Sequence, residues 1–309
     1  MSTLDRARLA ASLSALAARG VYLGTSSWKY PGWLGQIYDE QRYLTRGRFS
    51  QKKFEAACLA EYAETFPIVC GDFSFYQFPS EPYWRRLFAS APPTLLYAFK
   101  APEQITAKVF PAHARYGTRA GQPNESFLDA GLFAGAFLGP LEPYRAQIAV
   151  VIFEFGAFSR SSYQRLRDFL ADLDGFLARI PRKVRYAVEV RNPELFRSEY
   201  FDCLRARGVA HVFNAWTRMP PLARQAAMPE AFTADFTVVR ALLARGRTYE
   251  QAVKLFAPYS EVNEPNPEVR QALRGIISRS LETRQPAFIF VNNRLEGNAP
   301  GTIQALVEA

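Results

Sequence analysis

Histidine and cysteine are the scarce residues of this chain. Its 309 residues hold two histidines, His113 and His211, and three cysteines, Cys58, Cys70 and Cys203. Two histidines are too few for the His-rich metal centres that barrel nucleases and isomerases use, although a carboxylate-held magnesium stays compatible. The cysteines lie far apart, are odd in number and form no C-x-x-C pair. That argues against a zinc site or a disulfide framework, and for reduced thiols in the cytoplasm. No metal ligand and no cofactor is assigned. Long apolar runs are lacking as well: none approaches the roughly 18 residues of a membrane helix, so no membrane partner is expected. Low-complexity tracts, internal repeats and composition breaks are also missing, and residues 1–309 read as one domain. The apolar part of residues 1–20 is Ala-rich and weak, with Asp5 near its front and no spacer before the first strand. It reads as an N-terminal helix closing the bottom of the fold, not as an export signal.

What is present is a large apolar supply, 49% hydrophobic and 14% aromatic, and a net charge of +9 with a pI near 9.5. The positive balance favours anionic partners. Arginine supplies most of it and is scattered, as at Arg6, Arg8, Arg42, Arg46, Arg85, Arg86, Arg165, Arg167 and Arg182. No consecutive basic block with interleaved aromatics occurs. A small-molecule anion is therefore the expected partner, with nucleic acid as the alternative.

Eight short apolar runs, 21–24, 68–71, 95–99, 148–153, 186–188, 211–213, 236–239 and 288–291, each stop at a polar or charged side chain. Those side chains are Ser26, Asp72, Lys100, Glu154, Glu189 with Arg191, Asn214, Arg240 and Asn292. Buried parallel strands with chemistry at their C-terminal ends predict an α/β fold, a single (β/α)8 TIM-type barrel. Helical spacing falls between the runs. Tyr163, Leu166, Leu170, Leu173, Leu177 and Ile180 form one stripe, and Val269, Leu273, Ile276, Ile277 and Leu281 another behind an Asn266-Pro267 start. Ser198 is expected to cap a helix that Gly208 ends, Ser80 with Pro82 to open one, and Phe54, Cys58, Tyr62 and Phe66 to mark one. The rhythm breaks after the third strand, where 101–147 predicts a long loop or insertion on the catalytic side, either a lid or an ornament.

Alternation assigns faces within each strand. Leu96, Ala98 and Lys100 share one; so do Val150, Ile152 and Glu154; Ala187, Glu189 and Arg191; Phe236, Val238 and Arg240; and Phe288, Phe290 and Asn292. These are predicted to point into the barrel and bring Lys100, Glu154, Glu189, Arg191, Arg240 and Asn292 to one mouth. Two close carboxylates split their protonation and prepare one acid and one base. Lys100 can hold an anion or, if desolvated, act as base or Schiff-base amine. Arg191 and Arg240 offer forks for phosphate or carboxylate. A purely structural ion-pair network, three cations against Asp72, Glu154 and Glu189, is the plainer alternative; so much buried charge in one place favours a ligand. The Gly/Asn-rich stretch 292–301 before the last helix is a candidate anion nest. Trp28, Tyr30, Trp33, Tyr76 and Trp216 lie just beyond strand ends as candidate stacking surfaces.

The stretches 24–33 (GTSSWKYPGW), 73–80 (FSFYQFPS), 99–102 (FKAP), 188–191 (VEVR) and Asn292-Asn293 resemble the YecE-like family, domain of unknown function seventy-two. The resemblance spans nearly the whole chain in order. It implies a βα barrel and a pocket at the strand ends; no reaction is established for the family. Lys100, Glu189, Arg191 and Asn292-Asn293 fit its pattern. Cys70 stands where members tend to have Glu, Asp72 where they have Asn, Glu154 where Gln is usual, Asn192 where His is common and Asn214 where Asp is common. Acidic positions are moved around the mouth rather than lost.

The first functional expectation is an enzyme, of hydrolase or lyase type, acting on an anionic small molecule that is phosphorylated or sugar-derived. Glu189, Lys100 and Glu154 are its catalytic candidates. Arg191, Arg240, Asn292, Asn293, Asp72, Trp28, Tyr76 and Asn214 are its substrate-binding candidates. A glycoside hydrolase using Glu154 and Glu189, a nucleic-acid-processing barrel and a non-catalytic ligand-binding protein are the alternatives.

Overall fold

The computed structural model describes residues 4–159, 162–163 and 165–308 and, of Leu166, the backbone. Eight parallel strands close into a barrel, as the rhythm of apolar runs predicts. In chain order they are β1 (Val21–Thr25), β2 (Ile68–Gly71), β3 (Leu96–Lys100), β4 (Ile148–Phe155), β5 (Tyr186–Val190), β6 (Ala210–Ala215), β7 (Thr237–Ala241) and β8 (Ala287–Val291). Each pairs with its sequence neighbours, and β1 closes the ring against β8. Several strands run further than their apolar run. Lys100, Glu154, Glu189, Asn214 and Arg240 are ladder residues rather than the first residues of loops. Their polar groups find partners inside the barrel, so nothing ends the strand before them.

Side-chain alternation divides the core in two. Inside the barrel lie Ile68, Cys70, Ala98, Val150, Ile152, Ala187, Val212, Phe236, Val238, Phe288 and Phe290. Outside, against the helices, lie Tyr97, Phe99, Val151, Phe153, Phe155, Tyr186 and Val188. Small residues fill the crowded interior and aromatics the wider helix interface, where Trp84 meets Phe99 edge-on at 4.9 Å between ring centres. The β1–β2 seam is so tight that a Cβ at Gly24 would sit 1.9 Å from the Ile68 carbonyl oxygen, which only glycine tolerates.

The helix Pro267–Thr283 starts as expected, with the Asn266 side chain accepting from the Val269 N–H. Gly208 ends Ser198–Arg207 in the left-handed region, φ 64°. Ser198 is the first helical residue rather than the cap, and Ser80 precedes Glu81–Ala89 without a side-chain capping bond. Tyr163 lies ahead of the helix Leu166–Arg179; of its stripe, Leu173, Leu177 and Ile180 are buried, and the side chain of Leu166 lies outside the described residues. A small hairpin, Leu44–Thr45 with Arg48–Phe49, was not foreseen; it turns through Arg46 and Gly47, both at positive φ.

Two expectations change. The helix Arg6–Ala17 does not plug the barrel's lower end: Leu9 and Leu13 pack in the outer core, and Arg6 reaches Glu61 and Thr65. Residues 1–3 lie outside the described residues. The lower interior holds Tyr22, Phe236 and Phe288, with exposed Arg185 stacked over the two phenylalanines. The connection 101–147 is likewise more than a loop. Its second half supplies a helical layer, where Phe133 packs on Phe153, Phe176 and Tyr186. Among the described residues no helix is long and apolar enough to cross a membrane.

Candidate functional site

Lys100, Glu154, Glu189, Arg191 and Arg240, which alternation assigns to the inward face, form one ionic cluster together with Asp72. Arg240 on β7, 2% exposed, is its hub. One guanidinium nitrogen, Nη1, donates to both Glu154 of β4 and Glu189 of β5, and Nη2 lies 3.4 Å from Asp72 beyond β2. Glu154 and Glu189 are register partners on neighbouring strands, so their like charges share one side of the sheet and require such a bridge. Lys100 Nζ stands 3.2 Å from Glu154 Oε2 and 3.5 Å from Asp72, over the Phe75 ring at 3.8 Å. Arg191 Nη2 lies 2.7 Å from Glu189 Oε1 and 3.4 Å from Glu154 Oε2, and its guanidinium stacks on Trp216 at 4.0 Å.

One oxygen, Glu154 Oε2, therefore receives Lys100, Arg191 and Arg240 together. Three cations oppose three carboxylates, so the cluster is neutral as a whole. Exposure is uneven. The Glu189 side chain is completely covered and Arg240 nearly so, while Glu154 is 16% and Asp72 32% exposed. A molecule entering the mouth meets Asp72 and Glu154 before Glu189.

The neighbourhood sets the protonation states. Burial favours the neutral acid at Glu154, but Lys100, Arg191 and Arg240 outweigh it and hold the carboxyl well below its ordinary range. Burial works against the Lys100 ammonium; Asp72 and Glu154 reverse the effect and raise it. A raised, ion-paired ammonium does not suit the Schiff-base role open from sequence. Arg240 is likewise held charged, burial being overcome by Glu189 and Glu154. Beneath the charges, burial pushes the Cys70 thiol up to about 12, so it is a neutral wall residue.

The cluster is paired yet incompletely satisfied. Glu189 Oε1 is near enough to Arg191 for an ion pair but off the N–H direction, and it forms no hydrogen bond. Arg191 Nη1, Arg240 Nε, Asn214 Oδ1 and Ser26 Oγ are buried without hydrogen-bond partners among the protein groups described. Each such atom costs about 1–3 kcal/mol unless water or a ligand meets it. Asn214 is held by its own amide, which donates to the Val190 carbonyl at 3.2 Å. Gln225, on the short helix after β6, exchanges two hydrogen bonds with its backbone.

Other predicted site residues fall elsewhere. The stretch 292–301 closes on itself: Asn292 accepts from the Arg294 N–H, Asn293 from the Ala299 N–H, and Asn298 from the Gly301 N–H. These N–H groups are spent on the loop's own side chains, so the expected anion nest is not open. Asn293 Oδ1 also accepts from Trp33 Nε1, and its Nδ2 is buried and unpartnered. Trp28 is 5% exposed and meets Phe73 edge-on, which makes it core rather than an open platform. Tyr76 is 56% exposed and carries the Arg115 guanidinium at 4.6 Å. Asn192 braces the Phe158 backbone instead of facing the cluster. Sequence reasoning missed Phe75 under Lys100, Gln225, and buried Glu103, whose carboxyl burial raises. Phe75 was within sight, because it sits in the 73–80 motif. Among the described residues no group of three or more His, Cys, Asp or Glu side chains is arranged to hold a metal ion.

Comparison with known proteins agrees with this architecture. A search of curated proteins gave no match. Among solved structures, a DUF72 family protein from Thermotoga maritima MSB8 superposes with a TM-score of 0.59 at 20% identity, over 92% of this chain and 96% of that one. A DUF72 family protein from Enterococcus faecalis V583 gives 0.60 at 12% identity, over 94% and 96%. At these identities the likeness concerns the fold. The family model described as "Protein of unknown function DUF72" matches residues 22–309, and the chain therefore belongs to the DUF72 family.

Proposed function

We propose that this protein is an enzyme that takes a small anionic, hydroxyl-bearing molecule into the C-terminal mouth of its barrel. One observation carries the reading: Lys100, Arg191 and Arg240, from three different strands, converge on a single point beside polar atoms that lack partners. Unit charges about 4 Å apart repel by about 4 kcal/mol at an effective dielectric of 20, so the three cations stay together only while an anionic group, here the cluster's carboxylates, lies between them. Barrels concentrate their chemistry at this face.

In this reading the three cations bind the anionic group and stabilise negative charge that develops next to it. Glu189, covered and shared by both arginines, is a positioning residue that aims them. Glu154 and Asp72 are the carboxylates a substrate touches. Glu154 is ionised and can accept a proton. Glu189, its partner in the glycoside-hydrolase alternative, is completely covered and held by both arginines, out of reach of a glycosidic oxygen, which favours proton abstraction, as in a lyase, over glycoside hydrolysis. The nucleic-acid alternative is weaker, because the local cations are matched by carboxylates and leave no net positive groove. A purely ligand-binding role would share the anion site but not the need for a carboxylate beside it.

The test is a thermal-shift comparison of hexose phosphates, carboxylated sugars and neutral hexoses. Anionic compounds are expected to raise the Tm, neutral ones not, and Arg191→Ala to remove the shift. Equal shifts with the neutral set, or shifts that survive Arg191→Ala, would defeat the proposal.

A further inference from the structure

We propose that the Glu154 carboxylate occupies the place of the ligand's oxyanion, and that the ligand enters by exchange with it. This rests on the reading of the mouth as an anion site and adds how that site is guarded. A single oxygen, Glu154 Oε2, receives Lys100 Nζ at 3.2 Å, Arg191 Nη2 at 3.4 Å and Arg240 Nη1 in direct contact. Three donors on one oxygen is the geometry an oxyanion of phosphate or carboxylate type takes among basic side chains. The other two carboxylates differ. Glu189 is completely covered and touches the two arginines, and Asp72 touches Lys100 and Arg240 but not Arg191. Glu154 alone of the three meets all three cations while remaining partly exposed.

Charge supports the same conclusion. With Glu154 in place the six groups sum to zero. With its side chain swung out, three cations face two carboxylates, and one unit of positive charge awaits an incoming anion. Buried atoms beside the cluster, Arg191 Nη1 and Asn214 Oδ1, supply a donor and an acceptor for the rest of the ligand. Exchange also changes Glu154 itself. Freed of its cations, the carboxylate is a stronger base at the edge of the bound molecule, so binding would arm the proton acceptor.

Inorganic phosphate is the probe, titrated calorimetrically into the full chain. Glu154→Gln keeps the side-chain shape and Glu154→Ala empties the place; circular dichroism confirms that each is folded. Both are expected to bind phosphate at least tenfold more tightly than the wild type, and adding Arg191→Ala to either is expected to abolish the gain. Folded variants that bind phosphate no better than the wild type would overturn the exchange. If the wild type still binds a sugar phosphate through Arg191 in that case, the anion site stands and only its guarding by Glu154 fails. If neither wild type nor variants bind any phosphate, both readings fall.

Discussion

Glu189 and Glu296 are both fully buried and both paired with arginine, yet they are built to different ends. Glu296, between β8 and the last helix, has its lone pairs taken: the Asn266 N–H donates at 2.6 Å, Arg270 from Nε and Nη2 at 2.9 and 2.6 Å, and the Thr302 hydroxyl at 2.7 Å. It ties the start of one helix to another and leaves nothing over. Glu61 is similar, accepting from the Tyr43 hydroxyl at 2.5 Å, the Asp39 N–H and Arg6. Around Glu189 charge is shared rather than spent, and one arginine nitrogen serves two carboxylates while other polar atoms stay without partners. The difference teaches how to separate a staple from a site. A buried carboxylate whose partners all match it holds the fold; one in a set with leftover donors and acceptors is organised for something that comes and goes.

The sharpest way to break this comparison is to remove the hub. Arg240→Met would leave Glu154 and Glu189 side by side with Arg191 as their remaining shared cation, and should cost about 3–5 kcal/mol of stability, read from urea unfolding. A loss under about 1 kcal/mol would mean that the cluster is far more hydrated than its burial indicates.

Glu296→Gln is the matching change at the staple. It keeps the shape and removes the charge that Arg270, 18% exposed, and Thr302 rely on. The expected cost is about 2 kcal/mol, smaller because Arg270 can turn to water. The two sites should separate in function: the staple variant keeps whatever ligand shift the wild type gives, and Arg240→Met loses it. Loss of binding in both would erase the distinction drawn between them.

Glu154→Gln should cost about 1.5 kcal/mol, less than the loss of the hub although it removes a carboxylate that touches three cations. The change also relieves the repulsion between Glu154 and its register partner Glu189, and the unmatched positive charge lies at the exposed edge of the cluster. Unfolding midpoints in urea decide it. A cost matching that of Arg240→Met would make Glu154 a structural member of the cluster rather than its removable one.

Much of the barrel was legible because strand burial and side-chain parity obey a period of two, and the apolar runs are short enough to fix it. Parity also brought Lys100, Glu154, Glu189, Arg191 and Arg240 together correctly, since a side chain two residues past another must share its face. Loop side chains were harder. Asn292, Asn293 and Asn298 look the same in sequence whether they present N–H groups to a ligand or consume them, and the outcome depends on turns that bring each amide onto a neighbour a few residues on. The burial of Trp28 was hidden for a related reason: an aromatic at a strand end is open or covered depending on a partner, here Phe73, far away in sequence. Glu61 and Glu296 gave no signal, because a buried staple in a helix looks like any solvated helix charge until its distant partners are known.

The smallest effect concerns pH. Burial raises the Glu154 carboxyl, and Lys100, Arg191 and Arg240 more than reverse this, so its folded pKa lies well below the ordinary range. A depressed folded value means that the pairing contributes fully above the unfolded pKa of about 4.3, and is lost as pH falls through the folded one. The stability difference between wild type and Glu154→Gln should therefore be flat from about pH 5 to 8 and shrink only below about pH 4. Urea unfolding at stepped pH measures it directly. A difference that changes between pH 6 and 8 would place the Glu154 titration there, which three cations on one oxygen forbid; the carboxyl would then be buried without its cations, and the cluster as described would not exist.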